Sequence, residues 1–149
     1  MKKKRTWILV ADGARARILQ SEGWGTGLTP VPGQTHRIEN PPTRAHVSDR
    51  PGRSHESTTS MRHALEPRVD WHRYEKHLFA TELAAIINRA HQENAFDRLV
   101  IVAPPSTLGD LRAKLDKNAR RLVTAELDKD LTNLSLEELQ SQLEKVVPV

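Results

Sequence analysis

No cysteine occurs among the 149 residues. A disulfide scaffold, a thiol nucleophile, an iron–sulfur cluster and a thiolate zinc site are therefore excluded. Aromatic rings are scarce: three Trp, two Phe and one Tyr. A sheet that stacks bases on several rings, as common RNA-recognition modules do, is hard to build from so few. Long apolar runs are also missing. The longest are residues 7–11 and 99–103, far below the roughly 20 residues that span a bilayer, so no membrane insertion is expected. Residues 2–5 are basic and precede the first of these runs, but so short a stretch lacks the apolar core of a signal peptide. The expected compartment is the cytoplasm. No dinucleotide-type or Walker-type glycine loop, no HExxH helix and no GxSxG elbow is present, so the familiar signatures of nucleotide binding, metalloproteolysis and serine hydrolysis are lacking.

What remains is enough for one domain over residues 1–149. The chain is 37% hydrophobic and 28% charged. Lys and Arg number 23 against 19 Asp and Glu, a net charge of +4. The excess is uneven. Residues 1–75 hold 13 basic and 8 acidic side chains, while residues 76–149 hold 10 and 11. Five of the seven His also lie in the first half. A polyanion such as RNA would meet that half first.

The pattern along the chain predicts a mixed α/β sheet with packed helices. Residues 6–11 read as a strand, Asp12-Gly13 as the centre of a two-residue hairpin turn with positive φ, and residues 14–20 as the return strand. Alternation on that return strand puts Arg15, Arg17 and Leu19 on one face. The glycines at 23, 25 and 27 mark a plain turn. Residues 30–70 contain six of the nine prolines, four His and six Arg, with only eight apolar residues and no period. They read as a long irregular segment. Order returns at Asp70, a candidate N-cap for a helix over 71–94 with Phe79, Leu83, Ile86, Ile87 and Ala90 in one stripe. Residues 98–103 read as a doubly covered strand. Thr107 and Asp110 suggest a helix start, and Asn118 its end. Residues 119–127 read as another strand. Ser135 and Glu138 form a capping box before the apolar face Leu136, Leu139, Leu143 and Val146.

The carboxylates are scattered, although Asp12 and Asp128 or Asp130 fall near strand ends. His72 and His77 are five apart and do not share a helix face closely. The most informative stretch is Ser48-Asp49-Arg50-Pro51-Gly52-Arg53-Ser54. Pro51-Gly52 favours a tight turn that places Arg50 and Arg53 on either side, with Arg62 and His63 following. Guanidinium forks suit phosphate. A solvated, Arg-rich loop without function explains the composition equally.

Several segments together resemble the bacterial "protein required for attachment to host cells" family. They are Val10-Ala11-Asp12-Gly13-Ala14-Arg15-Ala16-Arg17, the 48–54 stretch, Arg62-His63-Ala64, Phe79-Ala80 with Leu83-Ala84, residues 96–105, Leu108-Gly109-Asp110-Leu111-Arg112 and Lys129-Asp130-Leu131-Thr132. That family is itself similar to the middle domain of archaeal and eukaryotic class 1 release factors. The resemblance implies a ribonuclease H-like fold. In those factors a Gly-Gly-Gln loop ahead of a long helix enters the peptidyl transferase centre. The matching place here holds Pro51-Gly52-Arg53. Arg supplies neither the backbone freedom of Gly nor the amide of Gln, so hydrolytic release is not expected, while docking on ribosomal RNA is.

The expected protein is thus a cytoplasmic, non-catalytic binder of RNA or the ribosome that affects attachment indirectly. Its candidate contacts are Arg15, Arg17, Asp49, Arg50, Gly52, Arg53, Arg62 and His63. No catalytic residue, cofactor or metal site is expected. Nothing in the sequence requires a homo-oligomer. Two rivals stand beside this reading: a peptidyl-tRNA hydrolase or metal-dependent nuclease on the same frame, and a protein that acts directly in attachment.

Overall fold

Strand β1 (Thr6–Ala11) is buried at every position. A strand covered on both faces belongs at the centre of a sheet, and β1 lies there. A computed structural model of the chain describes residues 4–23, 25–38, 57–147 and 149, and for residues 57–71 the backbone alone. The other strands are β2 (Arg15–Ser21), β3 (Thr29–Arg37), β4 (Arg98–Val102) and β5 (Val123–Leu127). They form one five-stranded mixed sheet in the order β3-β2-β1-β4-β5. The β1–β2 and β2–β3 pairs are antiparallel, whereas β4 runs parallel to both β1 and β5. The helices are α1 (Ser57–Gln92), α2 (Pro105–Lys114), the short α3 (Lys117–Arg120) and α4 (Leu136–Leu143).

Alternation along β1 divides the core in two. Trp7, Leu9 and Ala11 face Phe79, Leu83 and Ile87 of α1 and Leu108 and Leu111 of α2. Ile8 and Val10 face Leu139 and Leu143 of α4 and the terminal Val147 and Val149. The result is a single mixed α/β domain with helices on both faces of the sheet.

Four expectations are corrected. Helix α1 begins at Ser57 rather than after Asp70. Residues 57–70 lack the apolar stripe and include Pro67, which forfeits an intrahelical hydrogen bond. They nevertheless extend a helix already nucleated by its packed half. It ends at Gln92, two residues past Ala90, with Asn94 in the left-handed region at φ 57, a usual helix stop. Second, residues 29–37 are not irregular but form β3. Its prolines are tolerated because β3 is an edge strand. Third, residues 119–127 do not make one strand. Asn118 and Ala119 lie in α3, and the strand starts at Val123. Ala119 is fully buried, and an apolar position buried in so short a helix has the same local pattern as a strand residue. Asn118 accordingly does not end α2, which closes at Lys114 and starts at Pro105, ahead of Thr107. Fourth, the hairpin turn differs. Asp12 donates its N–H to the Arg15 carbonyl at 2.8 Å, which makes Gly13-Ala14 the central pair. Neither Asp12 nor Gly13 has positive φ. The capping box of Ser135 and Glu138 is present as expected.

Candidate functional site

The carboxyl ends of β1, β4 and β5 meet at one edge of the sheet, the side on which open α/β sheets commonly bind ligands. Asp12 follows β1 there. Its Oδ1 accepts the backbone N–H groups of Ala14 and Arg15, each at 2.7 Å. This closes the turn through the side chain. Its Oδ2 accepts the Thr132 hydroxyl at 2.9 Å and lies 3.4 Å from Arg15 Nη2. Burial pushes the Asp12 carboxyl up, but those two backbone N–H groups, the Thr132 hydroxyl and the Arg15 charge outweigh it. The net pKa lies below the ordinary value of 3.8. Thr132 also lies 2.7 Å from Asp130 Oδ1. The structure therefore links Asp12 to Asp130 through a hydroxyl, while Asp128 is exposed.

Arg15 and Arg17 are expected as exposed contacts for RNA; Arg15 is exposed, with its side chain 46% accessible, whereas Arg17 is half-buried. The β2 alternation sends them to the α4 side of the sheet, where the β5–α4 connection takes them up. Arg15 Nη2 donates to Asn133 Oδ1 at 2.6 Å, with Thr132 Oγ1 at 3.5 Å. Arg17 Nη2 donates to the Leu134 carbonyl. Its Nε is buried and has no acceptor among the described residues. Burial lowers the Arg17 pKa, yet a guanidinium stays charged. Together with Asp12, these arginines clamp residues 132–134 onto the hairpin.

The same turn roots the long excursion between β3 and the packed half of α1. On the outgoing side Ile38 N–H donates to the Ala14 carbonyl at 2.8 Å. On the returning side Lys76 lies across Gly13, where an added Cβ would come within 2.7 Å of Lys76 Cγ. One residue further, His77 Nδ1 sits 3.2 Å from Asp110 Oδ1 of α2. Of the remaining candidates, Asp49, Arg50, Gly52 and Arg53 lie outside the described residues. Arg62 and His63 lie on α1, in the part described by its backbone alone. Among the described residues no three His, Asp or Glu side chains are grouped to hold a metal ion.

A family model for the "Protein required for attachment to host cells" matches residues 7–143. The chain belongs to this host-attachment family. The match runs from β1 through α4 and so includes the Asp12 turn, the clamp and the root of the excursion. The family's description ties its members to attachment to host cells. Comparison with curated proteins finds no match. Among the described residues of this host-attachment protein, no helix is long and apolar enough to cross a membrane.

Sequence reasoning missed Lys76, the His77–Asp110 pair, Thr132 and Asn133. One signal was available. Asp130-Leu131-Thr132 directly follows a strand, and its Asp accepts the Thr132 N–H at 3.2 Å in a local turn. Lys76 and His77 carried no signal, because only the crossing of α1 over the sheet brings them to the hairpin.

Proposed function

We propose that this host-attachment protein is a non-catalytic RNA-binding protein, docking on ribosomal RNA, with an indirect effect on attachment from the cytoplasm. The observation that carries the reading is the shared root. Ile38 is bonded beside Ala14 and Lys76 lies across Gly13, so the Arg- and His-rich sequence between them is joined at both ends to one turn of the sheet. A helix of 36 residues runs about 54 Å, and among the described residues its buried apolar side chains lie between Phe79 and Ala90. The candidate contacts of this reading are Arg62 and His63 in the first part of that helix's sequence, with Asp49, Arg50, Gly52 and Arg53 ahead of it in the chain. The strand order and the long helix after β3 support a ribonuclease H-like frame of the release-factor kind.

Sedimentation of the purified protein with ribosomes tests the reading. If Arg50, Arg53 and Arg62 each neutralise one phosphate of single-stranded RNA, affinity falls about 20-fold between 50 and 200 mM salt. Replacing Arg50 and Arg53 together by Glu removes the association. Absence of any co-sedimentation at low salt overturns the proposal.

A further inference from the structure

Arg17 poses a physical problem that the clamp does not solve. A guanidinium drawn into the protein is normally paired with a carboxylate and has its N–H groups satisfied. Among the described residues no carboxylate bonds Arg17. Its Nη2 donates to the Leu134 carbonyl, and its buried Nε has no acceptor among the described residues. Nε and Nη2 form one edge of the guanidinium, whose parallel N–H groups fit two oxygens of one oxyanion. A single neutral oxygen occupies a place shaped for two charged ones. Arg15 stands two residues away on the same face of β2, held by the amide oxygen of Asn133 and by Asp12.

We propose that Arg15 and Arg17 form a phosphate-binding fork, closed at rest by the Leu134 carbonyl. Phosphate is favoured over a carboxylate because a second guanidinium, that of Arg15, lies two residues along the same face of β2. The carboxylate beside Arg15, Asp12, already accepts two backbone N–H groups. The gate is local. The Leu134 carbonyl belongs to the peptide that ends at Ser135, whose N–H donates to Glu138 Oε1 at 2.9 Å within the capping box of α4. Rotating that peptide frees the Nε–Nη2 edge and breaks this one exposed hydrogen bond. The Leu131 and Leu134 side chains, packed on the α4 core, need not move. The capping box therefore sets how readily the fork opens.

This fork shares only its ligand chemistry with the arm at residues 39–63, and its test can fail separately. Inorganic phosphate is titrated into the full-length protein at ionic strength matched with chloride. The Arg17 Nε–H and the Ser135 amide are followed by NMR. A saturable shift of both is expected. Arg17→Lys, which keeps the charge but lacks the fork, abolishes the Ser135 shift. Glu138→Ala tightens binding about fivefold, the equivalent of one exposed hydrogen bond. The variant with Arg50 and Arg53 both replaced by Glu binds phosphate as wild type does, which separates this fork from the arm. A short oligouridylate gives the same shifts if the natural source is an RNA phosphodiester and none if it is free phosphate; either result sustains the fork. No saturable Arg17 shift, an equal shift in chloride, or unchanged affinity in Glu138→Ala overturns it.

Discussion

The contact between Lys76 and Gly13 provides a sharp test of how α1 is seated on the hairpin. Gly13 has ordinary φ, so Ala at this position meets no backbone strain. The obstacle is steric. An added Cβ would lie 2.7, 2.9 and 3.1 Å from Lys76 Cγ, Cδ and Cε, and Cγ is too near the helix backbone to swing away freely. Lys76 must change rotamer or bend off its well, at about 1 kcal/mol. It also uncovers methylenes worth up to about 0.8 kcal/mol each when fully buried. Against this, Gly→Ala restricts the unfolded chain and contributes about 0.4–1 kcal/mol of stability. Gly13→Ala should thus destabilise the wild type by about 1 kcal/mol. In a Lys76→Ala background the obstacle is gone, and the same change should stabilise by about 0.5 kcal/mol. The sign reverses, and the coupling energy of the double-mutant cycle is about 1–2 kcal/mol. Urea denaturation of the four proteins measures it. Equal effects of Gly13→Ala in both backgrounds would refute the seating of α1 on the turn.

Asp12 holds a pKa below 3.8 in the folded protein. Its contribution is therefore complete above that value and is lost as pH falls through the lowered one. Asp12→Asn should destabilise at neutral pH, and the gap should close below about pH 4; a pH-independent difference in urea midpoints would contradict this. Leu139 is fully buried against the second face of β1, so Leu139→Ala should lower stability by about 2–5 kcal/mol, read by urea denaturation. Arg17→Met removes a drawn-in cation with an unsatisfied Nε and should be neutral or stabilising by about 1–2 kcal/mol in phosphate-free buffer. A large loss in thermal unfolding would show that the Leu134 contact contributes more than burial costs. Ser135→Ala removes the N-cap that accepts the Glu138 N–H at 3.1 Å and should cost about 0.5–2 kcal/mol, measured the same way.

Local chemistry by itself determined much of this protein. The apolar runs at Thr6–Ala11 and Arg98–Val102 became the central strands, because nothing but a doubly covered strand uses such runs at that length. The Phe79-to-Ala90 stripe became the packed half of α1. Ser135 and Glu138 became a capping box, since its bonds span only three residues. Tertiary structure decided the rest. Edge strand β3 has no apolar period, and its pairing with β2 is what makes it a strand. Residues 57–70 became helix as the continuation of a segment that packs. Above all, nothing local marks the partners of Arg15 and Arg17, which are Asn133 and Leu134, residues more than a hundred positions away. No spacing rule reaches that far. Which acceptor an arginine meets depends on where a distant loop lands, and only the closing of the sheet settles it.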